Sequence, residues 1–178
     1  MFKTVLNFWF EEIDQKMWWA VDSSFDAEIK ARFLPLVHQA IQGELYAWRA
    51  APKGRLAEII LLDQFSRNIF RQTHQAFTQD PMALVLAQEA VAANVPQALS
   101  TSECGFLLLP YMHSESAAIH AVAETLYRDF AAPYHYEYEL KHKAIIDRFG
   151  RYPHRNAILG RESSPEEIAF LSTPGSSF

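Results

Sequence analysis

A single cysteine, Cys104, occurs in the 178-residue sequence. A disulfide within the chain needs two cysteines and a Cys-based zinc site needs several, so both are excluded. Apolar runs are short, as at residues 106–109, which end at Pro110, and none approaches the roughly 20 residues of a membrane span. The first residues lack the apolar segment of a signal peptide. These absences predict a cytoplasmic protein that does not contact membranes.

Positive charge is also scarce, because 16 Lys and Arg stand against 21 Asp and Glu, which gives a formal net charge of −5. Nonspecific binding to nucleic acid requires broad neutralisation of phosphates, so this class of partner is excluded. The length suits one domain with a sizeable core. We therefore expect a single helical domain over residues 1–178, with residues 172–178 frayed.

A strand pattern is missing as well, since neither an Asn-Gly hairpin nor a sustained alternation of β-branched residues occurs. Apolar residues instead recur at helical spacing along the chain. Asp80-Pro81 and Ser164-Pro165 each combine a cap with a first-turn proline, and Ser100 and Glu103 have the spacing of a capping box. These signals predict an all-α fold of about eight or nine helices, arranged as antiparallel hairpins.

The third predicted helix contains the segment "LDQFSRNIFR", in which charged residues lie on an apolar face. Asp63 and Arg67 are four residues apart and can form an ion pair, with Asn68 beside them and Arg71 one turn later. A buried charge must be paired or must face a polar cavity. The segment therefore indicates either a structural tie between helices or the wall of a ligand cavity.

The segment "LLLPYMHSES" predicts a junction between two helices, with Ser114 as the cap of the second. His113 and Glu115 lie at this junction. The histidine is either a hydrogen-bonded structural residue or a ligand-binding or catalytic one. Glu139 and His142 have the Glu-x-x-His spacing of dimetal sites, but no second copy exists. We expect no metal and no cofactor, and a core role for His142.

The segment "RFGRYPHRNAILGR", residues 148–161, is unusually basic for an acidic chain. Gly150 predicts a left-handed end to the preceding helix, and cations are favoured at such a C-terminus. His154, Arg155 and Asn156 add further donors in quick succession. We expect this segment to pack against "DQFSRNIFR", where Asp63 alone cannot neutralise the arginines. Surplus positive charge would then favour a bound anion, whereas a further carboxylate such as Glu115 would make the cluster structural.

Together with "VLNFWFEE", "WWAVDSSFD" and "AFTQDPMAL", these three segments resemble the bacterial domain-of-unknown-function family 924 over essentially the whole chain. The resemblance implies helix hairpins stacked in a superhelix like that of tetratricopeptide-repeat proteins. It implies no established activity. The family's motif positions fall on Asp63, Gln64, Arg67, Asn68, Arg71, His113, Ser114, Glu115, Arg148, Gly150, Arg151, His154, Arg155 and Asn156.

Three functions are compatible with these features. The first is a pocket for a small anionic molecule, the second a module that binds a protein or peptide, and the third an enzyme that uses histidine acid–base chemistry in the same pocket. The candidate ligand-binding residues are Asp63, Arg67, Asn68, Arg71, His113, Glu115, Arg151, His154, Arg155 and Asn156. Convergence of the arginines on a concave pocket would favour the first or the third.

Overall fold

The computed structural model describes residues 1–176, and every regular element in that part of the chain is helical. The α-helical segments are α1 (Phe2–Asn7), α2 (Ser23–Ile41), α3 (Pro52–Ile60), α4 (Ser66–Ile69), α5 (Asp80–Ala92), α6 (Thr101–Met112), α7 (Ala117–Phe130), α8 (Pro133–Phe149) and α9 (Pro165–Leu171). A π-helical turn, Leu61–Phe65, joins α3 to α4. The described residues thus form eight continuous helices, and the all-α prediction is confirmed.

Local signals set several helix ends as predicted. Ser100 with Glu103 and Ser164 with Glu167 both form complete capping boxes. Gly150 ends α8 with a φ of 68°, the left-handed conformation that glycine adopts most easily. These three features depend on residues within a few positions of each other, which is why the sequence reveals them.

Two predicted caps are wrong. Asp80 is the first residue of α5 and its side chain contacts arginines rather than the helix backbone, while Gln79 occupies the cap position. Helix α7 begins after Ser116, and Ser114 instead gives its carbonyl to a buried histidine. Asp80 is held by arginines that are distant in sequence, whereas the start of α7 lies two residues beyond the predicted cap.

Helix α6 forms the centre of the core, because its residues from Cys104 to Met112 are all buried. It packs against α3, α5 and α7. Aromatic rings fill the space between α6 and the N-terminal elements, with Trp9 edge-on to Phe106 at 5.6 Å. Each such buried ring contributes roughly 1.5–3 kcal/mol by leaving water. A rigid α6 therefore supports the residues at its C-terminal end, which include His113.

Helices α6, α7 and α8 are joined by short connections, and α7 packs on both of its neighbours. This arrangement fits the predicted hairpins. Their stacking in a tetratricopeptide-like superhelix stays a prediction. The fraying expected for residues 172–178 also stays a prediction, and residues 177–178 lie outside the described part. None of the helices in residues 1–176 combines the length and apolar character that a membrane crossing needs.

Candidate functional site

The π-helical turn between α3 and α4 decides where the charged side chains of this helix point. Its i to i+5 spacing widens the turn and changes the phase of the residues that follow. Asp63 lies within the turn, and its Oδ1 is 2.7 Å from Nδ1 of His113 at the end of α6. Arg67 points to Asp80 on α5 instead. The direct ion pair predicted between Asp63 and Arg67 is therefore wrong.

Asp63 and His113 form an oriented carboxylate–imidazole pair. Burial by itself raises the pKa of the Asp63 carboxyl, but His113, the charge of Arg67 and a hydrogen bond from Gln64 lower that pKa below its ordinary value. Because Asp63 is ionised, Nδ1 of His113 carries the hydrogen and donates it. Nε2 is not buried and has no hydrogen-bond partner among residues 1–176. The pair thus presents Nε2 as the available nitrogen.

Arg67 and Arg155 share one carboxylate, that of Asp80. Arg67 donates from Nη2 at 2.9 Å, and Arg155 donates from Nη1 at 3.3 Å. Arg155 is only 6% exposed, and its guanidinium lies 4.6 Å from the Tyr152 ring centroid and 4.9 Å from that of Phe77. Burial and the charge of Arg67 lower the pKa of Arg155. A second anion beside Arg155 would relieve both effects.

The Nε/Nη2 edge of Arg155 has no partner in the described part of the chain. This edge is the side of the guanidinium that holds a carboxylate with two parallel hydrogen bonds. Three other arginines of this protein use it in that way, pairing with Glu58, Asp26 and Glu167; they are Arg49, Arg71 and Arg151. Arg148 directs the same edge to a single oxygen of Glu166. Because Nε of Arg155 is also buried, its missing hydrogen bond is costly.

Two of the arginines expected in the cluster have partners of their own. Arg71 holds Asp26 through its Nε/Nη2 edge, and Asn68 donates to the same carboxylate at 2.8 Å. Arg151 holds Glu167 at 2.6 and 2.8 Å, at the start of α9. Arg67, Arg71, Arg151 and Arg155 therefore do not converge, and only Arg67 and Arg155 meet, through Asp80.

The remaining candidates brace the 150–161 segment. Glu115 accepts two hydrogen bonds from Arg161 and one from the backbone N–H of Tyr152. Asn156 accepts from Arg161 Nε and donates to Ser163. His154 is half-buried, and burial together with the charge of Arg155 lowers its pKa to about 4. Arg161 was not among the sequence candidates, although it belongs to the same basic segment.

This pairing removes the predicted surplus of positive charge. Around the junction of α6 and α7 the three cations Arg67, Arg155 and Arg161 stand against three carboxylates, those of Asp63, Asp80 and Glu115. The group is neutral while His113 is neutral and positive when His113 is protonated. Glu115 supplies negative charge that Asp63 alone could not provide, because it pairs with Arg161. This favours a structural role for most of the segment and leaves a smaller candidate site.

That smaller site is a cleft of about 380 Å³ over the N-terminus of α5 and the C-terminus of α6. Three of the sequence candidates, His113, Glu115 and Arg155, line it together with Asp80. Its other walls are largely apolar and come from Phe77, Pro81, Leu84, Pro110 and Leu159. The cleft therefore combines a polar end with a hydrocarbon surface, the composition typical of small-molecule sites.

A buried network supports the floor of this cleft. His120 and Glu139 are both 0% exposed and lie 2.7 Å apart, between Nδ1 and Oε1. His120 also donates from Nε2 to the Ser114 carbonyl at 2.8 Å, which fixes the backbone next to His113. The sequence analysis missed His120, because it lies on an ordinary helical stripe with no distinguishing spacing. Burial also raises the pKa of Glu139.

His142 lies in this part of the core, as predicted. It is 6% exposed, and its Nδ1 donates to the Tyr138 carbonyl at 2.8 Å. Burial lowers its pKa to about 3, so the ring is neutral at physiological pH. Within residues 1–176, no group of three or more His, Cys, Asp or Glu side chains is arranged to hold a metal ion.

A second cleft, of about 450 Å³, lies beside the C-terminal half of α2. It shares His74 and Thr78 with the first cleft, and its remaining walls are formed by His38, Ile41, Gln42, Phe70, Gln75 and Gln79. Amide, hydroxyl and imidazole groups line it in place of arginines. It is the larger of the two, but the chemistry that distinguishes Arg155 and His113 belongs to the first.

The comparisons with known proteins agree with this fold and leave the activity open. The chain is similar to a structure of a protein of unknown function, ATU0120, from Agrobacterium tumefaciens, with 34% sequence identity, 96% of each chain covered and a TM-score of 0.91. No curated protein matches it significantly. Residues 5–175 match the model of a bacterial family whose members have no known function. The chain therefore belongs to the bacterial protein family of unknown function DUF924.

Proposed function

We propose that this protein binds a small anionic molecule in the cleft between α5 and α6, with Arg155 and His113 as its polar contacts. The observation that carries the proposal is the unpaired Nε/Nη2 edge of Arg155 beside that cleft. The same edge binds a carboxylate in four other arginines of the chain, so an anion is the partner that its chemistry fits.

The surroundings of Arg155 support the same role. Tyr152 and Phe77 stack on its guanidinium and Asp80 holds Nη1, so the side chain is fixed before any ligand arrives. A fixed donor loses little conformational entropy on binding. His113 is likewise held by Asp63, and its Nε2 is the atom left for a ligand.

Binding is measured as a rise in melting temperature with added acetate, hexanoate or phosphate, against sodium chloride at equal ionic strength. At a ligand concentration about tenfold above Kd the stabilisation is ~1.4 kcal/mol, which is a rise of about 3–6 °C for a chain of this length. Arg155→Gln should lose that rise. The matched control is Arg151→Gln, because Arg151 lies in the same segment but holds Glu167.

The comparison between the two variants decides the outcome. An anion-dependent rise in the native protein and in Arg151→Gln, but not in Arg155→Gln, supports the site. A folded Arg155→Gln protein that responds as the native protein does would remove Arg155 from the site. A native protein that responds to none of the three anions would contradict the proposal.

A second candidate function is an enzyme in which His113 acts as the general base. The specific observation in its favour is the Asp63–His113 pair, since a buried carboxylate on Nδ1 is the usual way to orient a catalytic imidazole. A compound found by the binding screen would then be turned over by the native protein. His113→Gln would lose far more turnover than binding affinity, whereas equal turnover in both proteins would exclude this role.

A further inference from the structure

We infer that the ligand of this cleft is a monocarboxylic acid with a short hydrocarbon chain, and that it binds together with one proton, which His113 receives. This inference rests on the proposed function, which it narrows from an anion in general to one chemical class. Three features of the cleft carry it: the geometry of the free arginine edge, the charge balance of the walls and their apolar part.

The free edge of Arg155 presents two parallel N–H groups, a pattern that matches the two oxygens of one carboxylate. Arg49, Arg71 and Arg151 show this pairing, since each uses this edge to hold both oxygens of one Asp or Glu. The rings of Tyr152 and Phe77 lie against the guanidinium, at 4.6 and 4.9 Å from its central carbon, which favours an approach of the ligand along the free edge. A flat carboxylate fits this approach.

The charges of the cleft limit the ligand to one negative charge. Asp80 and Glu115 line it beside Arg155, and each already holds an arginine. A dianion such as hydrogen phosphate or a dicarboxylate would place a second negative charge near these carboxylates. A monocarboxylate needs only one compensating charge, and His113 supplies it by taking up a proton.

The other titratable groups around His113 do not supply this charge. Glu139 shares a proton with His120, and that pair has no net charge whichever partner holds the proton. His142 and His154 stay neutral at physiological pH, because burial lowers their pKa values to about 3 and about 4. Asp63, Asp80 and Glu115 together are already balanced by Arg67, Arg155 and Arg161, and Asp63 accepts its hydrogen bond from neutral His113. His74 also lines the cleft, but it is exposed to solvent.

The orientation of His113 leads to the same proton count. With the hydrogen on Nδ1 donated to Asp63, neutral His113 presents a lone pair at Nε2. A carboxylate oxygen beside that lone pair is repelled, so either Nε2 is protonated or the ligand brings the hydrogen. In both cases one proton enters with the ligand.

The apolar walls favour a hydrocarbon chain behind the carboxylate. Phe77, Pro81, Leu84 and Leu159 form much of the cleft, whose volume of about 380 Å³ lies at the small end for ligand sites. Each methylene that leaves water there should tighten binding about fourfold, which corresponds to ~0.8 kcal/mol. Hexanoate should therefore bind far more tightly than acetate.

The test is a calorimetric titration of the native protein with acetate, butyrate, hexanoate, succinate and phosphate. We expect Kd to fall with chain length, succinate and phosphate to bind at least tenfold more weakly than hexanoate, and Arg155→Gln to lose hexanoate binding. Repeating the hexanoate titration in buffers of different ionisation enthalpy should show about one proton taken up near pH 8, and none for His113→Gln. The buffer series on the native protein gives the proton count even when that variant does not fold.

The outcomes separate this inference from the proposed function. Equal or tighter binding of phosphate or succinate would overturn the monocarboxylate class while leaving anion binding intact. Tight hexanoate binding without proton uptake would overturn the role given to His113. Binding of none of the five compounds would overturn the proposed function, and this inference with it.

Discussion

Arg151 and Arg155 lie four residues apart in one basic segment, yet they occupy opposite kinds of environment. Arg151 is about a third exposed, and both N–H groups of its Nε/Nη2 edge are used by Glu167. Arg155 is buried, shares Asp80 with Arg67, and leaves the same edge unused by the described residues. The first arginine completes a contact between α8 and α9, whereas the second keeps binding capacity beside a cleft.

The difference shows that local density of positive charge is a poor guide to a binding site. What matters is whether each cation has a carboxylate of its own, and that depends on residues brought in by other helices. Four experiments test how far buried groups and exposed pairs differ in their contribution to stability, and they are given in decreasing order of expected effect.

The largest effect is expected from Asp80→Asn, which leaves Arg67 and Arg155 together without their shared carboxylate. Removing one partner from a buried ionic group costs roughly 3–5 kcal/mol of unfolding free energy. Urea denaturation measures it. The control is Asp129→Asn, whose pair with Arg128 is about half exposed and should matter by less than about 1 kcal/mol. Similar stabilities for the two variants would show that Asp80 is not needed to hold the arginines.

Lowering the pH should reduce the unfolding free energy of the protein through the buried residue His135. Burial lowers the pKa of His135 to about 4, so between the ordinary value of about 6.5 and that value the unfolded chain binds a proton that the folded chain refuses. Stability should fall as the pH drops through this window. His135→Phe should reduce the slope of unfolding free energy by about 1.4 kcal/mol per pH unit. His38→Phe is the control, because His38 is exposed. An unchanged slope in His135→Phe would contradict this prediction.

Gly150→Ala should destabilise the protein by about 1 kcal/mol, because alanine is strained at a φ of 68°. The space around a new Cβ is open, so no steric contact adds to this cost. Gly150→Asn is the matched variant, since asparagine tolerates the left-handed conformation better and should cost less. Melting temperature reports both. Equal losses in the two variants would point away from backbone strain.

The smallest effect is expected from Arg151→Gln, a slight loss of unfolding free energy at neutral pH, because its pair with Glu167 is partly exposed. The hydrogen bonds from Arg151 and from the Ser164 backbone lower the pKa of Glu167 to about 2. Their contribution is present above the ordinary pKa of about 4.3 and is lost as the pH falls toward 2. Native protein and variant should therefore converge in stability near pH 2. A gap that persists there would assign Arg151 another role.

The sequence predicts the features that depend on near neighbours. Gly150 after a helix, Ser100 with Glu103, and Ser164 with Glu167 each act within four residues, and all three are confirmed. His142 as a core residue also follows, because it shares a helical face with Ile145 and Phe149. Such features are readable because their partners are fixed by helix geometry alone.

The candidate site is only partly readable, for two physical reasons. Asp80 is joined to Arg67 across 13 positions and to Arg155 across 75, so its local cap pattern concealed its real partners. The π-helical turn is hidden because every residue from Leu56 to Ser66 is buried, and a helix buried on all sides has no exposed face whose spacing would reveal a change of period. The sequence thus indicates His113 and Arg155 as candidates, but it does not reveal that Asp63 holds the first and Asp80 the second.

The π-helical turn at Leu61–Phe65 also constrains the number of residues in this part of the chain. It is equivalent to one extra residue in an α-helix, and its loss by a single deletion would rotate the following residues by about 100° about the helix axis. Asp63 and Arg67 could then no longer face α6 and α5 together. A homologue with one residue fewer in this stretch would keep a folded helix but lose the combination of fixed imidazole and fixed guanidinium. Chain length here, rather than residue identity, thus marks which relatives carry the same cleft.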